Sequence, residues 1–374
     1  MTWTLAWLVF ATATVCPLPA QSGASADLFH FSGPGKVCPQ IVSLIEKNGG
    51  RVDWGTNNLI AYDQFDPAGK HFQVWVMNPD GSSPHAVTSL NSTLAQDMVG
   101  NPAWHPSGNY LVVQAADIAP PPWASLKADI YQRMTNPNNG FNNNLWIIST
   151  DASHAAALTQ LDTGHGALEP HFSHAGDQLL WSELVTAKPQ KWVMRVAKFV
   201  VDSDGPHMTD LRTLDPLGNA VYKAHDFSPD DKQILFSTTK TAGDFKHTSL
   251  VRMDLATGKT TYLTDPSAEE FNAYAHYSPD GSKIIWASSR GIEQNPLRKI
   301  TRNDFWIMHA DGSDKRRLTF FNESGAPEFR SAYNIASDLS WSPDGKSFAA
   351  YLQIRTQGEG VDDVGGSILR ITLP

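Results

Sequence analysis

The chain is poor in the features that usually announce a chemistry. It holds only 2 cysteines in 374 residues, Cys16 and Cys38, too few for a disulfide framework or a paired-cysteine metal motif. The net charge is −9 and the longest run of Lys or Arg is three residues, Lys315-Arg316-Arg317, which argues against nucleic acid and anionic lipid as main partners. There is no Gly-x-Ser-x-Gly elbow, phosphate loop, dinucleotide fingerprint, His-Glu-x-x-His pair or EF-hand loop. Asn91 and Asn322 open matches to the glycosylation sequon, a three-residue pattern that assigns nothing by itself.

Long apolar runs are also missing, except at the start. Residues 3–15 are apolar but too short to span a bilayer, and Ala24-Ser25-Ala26 offers a small-x-small cleavage site before Asp27. Cleavage after Ala20 is the alternative, and the segment before the apolar run has no Lys or Arg. Residues 1–26 are therefore expected to be a signal peptide and 27–374 the mature domain, periplasmic or secreted and without membrane insertion. Cys16 lacks the small residue that precedes a lipoprotein cysteine, so plain secretion is expected, which leaves Cys38 alone in a structural role.

What the sequence does have is repetition. Five times an aromatic residue opens a turn of one kind: Trp104-His105-Pro106-Ser107-Gly108, Phe172-Ser173-His174-Ala175-Gly176, Phe227-Ser228-Pro229-Asp230-Asp231, Tyr277-Ser278-Pro279-Asp280-Gly281 and Trp341-Ser342-Pro343-Asp344-Gly345. A degenerate sixth begins at Trp54-Gly55, and the steps between the aromatics are 50, 68, 55, 50 and 64 residues. Pro presets φ, Ser and Asp accept backbone hydrogen bonds and Gly tolerates the left-handed exit, so each copy should link two antiparallel strands. Continuous apolar runs follow, such as Leu179-Leu180-Trp181 and Ile284-Ile285-Trp286, as expected for strands covered on both faces. A third strand recurs, as in Val74-Trp75-Val76-Met77 and Phe305-Trp306-Ile307-Met308, and a short fourth often ends in Leu-Thr, as in Leu158-Thr159, Leu263-Thr264 and Leu318-Thr319. The period is that of four-stranded blades repeated around an axis.

On these motifs the chain resembles the TolB-type propeller repeat, whose pattern is aromatic-Ser-Pro-Asp-Gly, an apolar strand, an Ile/Trp-Val-Met strand with Asp-Gly, then Arg-Leu-Thr. Residues 275–319 match nearly residue for residue, whereas the first three blades keep only the skeleton. The resemblance implies an all-β, six-bladed β-propeller. The last blade has no fourth strand before the chain stops, so the stretch Gln40-Ile41-Val42-Ser43-Leu44 is expected to close the ring, the alternative being a loop or short helix across the bottom.

Loop lengths are polarised. The long segments, residues 117–144, 290–303, 321–337 and 355–366, fall at joints that a propeller places on one rim, the usual place for binding on a rigid scaffold. Of 13 histidines, His171, His225 and His276 fall within two residues of the aromatic that ends an innermost strand, as do Asp53 and Asp226. Glu169 and Asp338 lie three residues before theirs, and His165 sits in the loop leading into the third blade. Inner strands surround the channel, so these groups are candidate ligand-binding residues, and His171, His225 and His276 candidate metal ligands. The same histidines would serve equally as hydrogen-bond partners to the neighbouring blade. His105 and His174 belong to the turns and are expected on the opposite rim.

Two functions follow. The resemblance to TolB implies a non-catalytic binding or scaffold module, without a cofactor and acting as a monomer, that engages an envelope protein or glycan through its long-loop face. A strict Tol-Pal role is not expected, because the α/β domain that precedes TolB's propeller has no counterpart here. The alternative is similarity to oligogalacturonate lyases, which implies a metal-dependent polysaccharide lyase using Mn or Ca in a His-lined channel. His171, His225 and His276 would then hold the metal and Arg290, Arg330 or Arg355 would clamp a substrate carboxylate.

Overall fold

The computed structural model describes residues 41–88, 94, 98–137, 139–151, 153–294, 301–326, 328–329, 333–355 and 366–373. The expected signal peptide of residues 1–26, both cysteines and Gln40 lie outside the described residues. The described part opens with a long strand, β1 (Ile41–Trp54), followed by β2 (Ile60–Asp66), β3 (His71–Met77) and β4 (His85–Ala86). Four sheets of four antiparallel strands come next. They are β5 (Val99–Trp104), β6 (Tyr110–Ala115), β7 (Asn144–Ser149) and β8 (Ala155–Ala157); then β9 (Gly166–Phe172), β10 (Gln178–Ala187), β11 (Gln190–Asp202) and β12 (Gly205–Leu214). After them come β13 (Val221–Phe227), β14 (Gln233–Thr239), β15 (Ser249–Asp254) and β16 (Thr260–Tyr262); then β17 (Asn272–Tyr277), β18 (Lys283–Ser288), β19 (Asp304–His309) and β20 (Arg316–Arg317). The chain ends with β21 (Tyr333–Trp341), β22 (Ser347–Arg355) and β23 (Gly366–Thr372).

The architecture is an all-β propeller, but strand pairing gives four separate blades rather than the six expected. The remaining strands form one seven-stranded sheet, β21-β22-β23-β1-β2-β3-β4. The physical reason is β1, whose first half pairs with β23 (Ile41 opposite Thr372, Leu44 opposite Leu369) while its second half pairs with β2 (Val52 opposite Tyr62, Trp54 opposite Ile60). The innermost strands β1, β5, β9, β13, β17 and β21 each pack against the next, and β21 packs in turn against β1.

Where the motif is kept, as at Ser228, Ser278 and Ser342, the repeated residues hold the blades in the same way. On the turn side the Ser hydroxyl donates to the Asp carboxylate two residues on and accepts a backbone N–H from the next strand, as for Ser278 with Asp280 (2.6 Å) and the Lys283 amide (2.9 Å). Gly281 exits at φ +71°, and a Cβ there would also stand 3.1 Å from Pro229 Cγ. At the other end the Thr of Leu-Thr accepts the amide of the third strand's second residue: Leu145 N–H to Thr159 Oγ1, Leu250 to Thr264 and Phe305 to Thr319, each at 2.9 Å. Thr88 likewise accepts the Val74 amide at 3.1 Å. Between blades the bulky residues are fully covered, Trp286 and Phe227 among them, each worth on the order of 2–3 kcal/mol of apolar burial.

The 117–144 segment is not a bare loop. It contains a 3-10 turn (Ala124–Leu126) and helix α1 (Ala128–Met134), and its Trp123, Tyr131 and Met134 pack onto Leu168, Leu184, Trp192 and Val221. Asn142 ties it down by donating to the Ile118 carbonyl at 2.7 Å and the Tyr131 hydroxyl at 2.8 Å. The expected 321–337 loop is shorter than its sequence suggested, because residues from Tyr333 onward already belong to β21. Among the described residues no helix is long and apolar enough to cross a membrane.

Candidate functional site

Each of the six inner strands breaks register with its neighbour just before its terminal aromatic. A bulge of this kind re-aims side chains. At Asn101, Glu169 and Tyr274 it takes the left-handed conformation, with φ of +54°, +54° and +55°. Three residues before the aromatic therefore stand Arg51, Asn101, Glu169, Ala224, Tyr274 and Asp338. One residue before it stand Asp53, Ala103, His171, Asp226, His276 and Ser340.

The second set supplies joints between blades. Asp53 accepts the Trp104 amide of the following blade at 2.6 Å and the Ser340 hydroxyl at 2.8 Å, and Ser340 accepts the Trp54 amide at 2.9 Å. Asp226 accepts the Tyr277 amide of its following blade and the Phe227 amide, both at 2.9 Å. Nearby, Asp63 receives the amides of Arg51 (3.0 Å) and Asn101 (2.9 Å). Burial pushes these carboxyls up, Asp53 and Asp63 to about 6 and Asp226 to about 7, against the opposing pull of the amides.

The first set meets across the axis. Arg51 on β1 reaches past β5 to Glu169 on β9, with Nη1 3.2 Å from Oε1, and stands 3.9 Å from Asp338 Oδ2 on β21. Lys223 on β13 adds a second cation to the same Glu169 oxygen at 3.3 Å. Arg51 and Lys223 both lie over the Tyr274 ring, at 5.4 and 5.2 Å, and Lys223 also faces Phe245 from the loop after β14 at 5.9 Å. Burial opposes ionisation of Glu169, but Lys223 and Arg51 outweigh it and hold the carboxyl at about 2. Burial pushes Asp338 up to about 7, with Arg51 pulling the other way. Glu169 is 3% exposed, and its second oxygen, Oε2, has no hydrogen-bond donor among the described residues.

His276 stands between two carboxylates, with Nδ1 3.7 Å from Asp226 Oδ2 and Nε2 4.0 Å from Asp338 Oδ1, and its ring is 5.3 Å from that of His171. His225 has a different duty. Its Nε2 accepts the Tyr274 amide at 3.2 Å and meets the Ser237 hydroxyl at 2.6 Å, so that nitrogen carries no proton and offers no lone pair to a metal. Burial lowers the imidazoles of His171 and His225 to about 3, and that of His276 well below its ordinary value. Three uncharged imidazoles could suit a transition metal, but these three do not present convergent nitrogens. No group of three or more His, Cys, Asp or Glu among the described residues is arranged to hold a metal ion.

Of the residues singled out in the sequence, Glu169, His171, His225, Asp226, His276 and Asp338 thus come together. His165 remains in the loop before β9, its carbonyl taking the Asn142 amide at 2.6 Å. Arg290 turns outward, 5.6 Å over Trp306 of a third strand and 3.9 Å from Glu270. Arg330 lies outside the described residues, and Arg355 ends β22 opposite Tyr333. Sequence reasoning missed Arg51, Lys223 and Tyr274. Arg51 and Tyr274 share the three-residue offset that marked Glu169 and Asp338, so that rule applied to every blade would have found them.

No family model matches the chain. Among solved structures it is similar to TolB from Acinetobacter baumannii, with a TM-score of 0.52 at 16% identity over 84% of this chain and 63% of that one. It is also similar to an oligogalacturonate lyase solved in complex with manganese, with a TM-score of 0.50 at 10% identity over 89% of this chain and 93% of that one. At such identities the likeness shows the propeller fold alone, and the chain spans less than two thirds of the TolB chain's length.

Proposed function

We propose that this chain is an exported, non-catalytic binding module of TolB-like propeller architecture, which engages an envelope protein or glycan through its long-loop face and the channel beneath it. In this reading the seven-stranded sheet acts as two blades sharing β1, making six around the axis, with the β1 to β23 pairing closing the ring. Periplasmic or secreted placement rests on reading residues 1–26 as a signal peptide and on the TolB-like fold. The observation that carries the binding role is the cluster of Arg51, Glu169, Lys223, Tyr274, His276 and Asp338, drawn from five inner strands of a rigid ring. Buried charge on this scale costs stability that apolar packing would have supplied, and fixed polar groups in a channel are what a binding site needs.

Oligogalacturonate-lyase chemistry is the competing reading, but the imidazoles lack convergent nitrogens and Arg290 points away from them, so no step is drawn through a metal. The discriminating experiment uses purified mature protein with polygalacturonate and added Mn²⁺ or Ca²⁺, followed by absorbance of the unsaturated product. No turnover is expected, together with saturable sedimentation of the protein with isolated cell-envelope material. Turnover that scales with enzyme and is abolished by chelation would overturn the proposal.

A further inference from the structure

We propose that the channel cluster is a subsite for a neutral sugar unit, whose adjacent hydroxyls donate to Glu169 and Asp338 and accept from His171 or His276. The inference rests on the binding-module reading and names the ligand class for its central site.

Among the described residues, charge balance argues against the simplest alternatives. The groups that face one another are the cations Arg51 and Lys223 and the carboxyls Glu169 and Asp338, with uncharged imidazoles from His171 and His276 beside them. Asp53, Asp63 and Asp226 already have their oxygens engaged by backbone amides or Ser340. A free cation entering here meets Arg51 and Lys223, and a free anion meets Glu169 and Asp338. Above about pH 7, where Asp338 is ionised, neither finds an excess of opposite charge.

Hydrogen-bonding capacity is the part left open. Glu169 Oε2 is a buried, ionised oxygen with no donor among the described residues, a state that costs roughly 1–3 kcal/mol unless a donor is supplied. The nitrogens nearest Asp338, of Arg51 and of the uncharged His276, stand at 3.9 and 4.0 Å, beyond hydrogen-bond distance. His171 and His276 occupy the offset that clamps blades elsewhere, yet neither takes an amide from the next strand as Asp53 and Asp226 do. Asp338 and His276 each keep 12% of the side-chain surface exposed. A hydroxyl both donates and accepts without charge, which suits carboxyls and imidazoles side by side. Both carboxyls lie within 4 Å of the same Arg51 nitrogen, a spacing that adjacent hydroxyls of one ring can match.

The test is calorimetric titration of the folded mature protein with neutral β-1,4-linked hexaoses of glucose, mannose and N-acetylglucosamine, with their monosaccharides, and with hexagalacturonate. At least one neutral saccharide should bind, and Asp338→Asn and His171→Gln should each weaken it roughly tenfold or more. Lys232→Ala on the turn side should leave it unchanged. Glu169→Gln is not relied on, because it removes the carboxylate that two buried cations share. Equal binding of monosaccharide and hexaose identifies a free sugar as the source, and preference for the hexaose identifies a glycan chain. Failure of every neutral saccharide to bind, or binding indifferent to both variants, overturns the subsite and leaves the module reading intact if the protein still sediments with envelope material. Cleavage of hexagalacturonate overturns both.

Discussion

Asp226 and Asp338 make a useful pair. Both lie on inner strands beside His276, and burial pushes both up to about 7. Asp226, one residue before its aromatic, has each oxygen fixed by a backbone amide and stitches β13 to β17. Asp338, three residues before its aromatic, faces Arg51 and His276 at distances too long for hydrogen bonds. The difference of two residues separates a structural joint from a group left free to meet a ligand. A shifted pKa alone does not distinguish them, and the partners of the oxygens do.

That contrast can be broken at three levels. Glu169 belongs to both regions, since one oxygen neutralises Arg51 and Lys223 and the other is open. Glu169→Gln leaves two buried cations without their carboxylate and should cost roughly 3–5 kcal/mol in urea unfolding. A loss below about 1 kcal/mol would show that the cations are not held by it. Asp226→Ala strands the Tyr277 and Phe227 amides and should cost roughly 2–4 kcal/mol at pH 5, whereas Asp338→Ala should stay within about 1 kcal/mol. Equal losses would erase the distinction between joint and channel.

Much of this was legible beforehand. The turn motif, the apolar runs and the Leu-Thr endings each depend on contacts within one blade, so local pattern reveals them, down to Thr319 accepting the Phe305 amide. Glu169 and Asp338 were visible by offset from the aromatic for the same reason. The division of β1 between two partners was not, because pairing of Leu44 with Leu369 joins segments at opposite ends of the sequence. Nor was the duty of His225, since Tyr274 becomes its donor only through the bulge in the next blade. Lys223, four residues before Phe227, follows no repeated offset, and its role depends on Glu169 from another strand.

The finest separation comes from pH. Asp338 titrates at about 7 in the fold against about 4 for a free carboxyl, so between those values the folded chain holds a proton that the unfolded chain has lost. Its contribution to stability therefore falls as pH rises through that window. His171 runs the other way: at about 3 in the fold against about 6.5 unfolded, it makes the unfolded chain the better proton binder, so its contribution rises with pH from 3 to 6.5. Asp338→Asn should thus gain on the wild type as pH goes from 4 to 7.5, and His171→Gln should lose ground from pH 3.5 to 6.5, each by on the order of 1 kcal/mol once water in the channel screens the charges. Thermal midpoints measured at half-unit steps give both slopes. Slopes of the same sign would mean that the two groups do not share one buried, charge-balanced site.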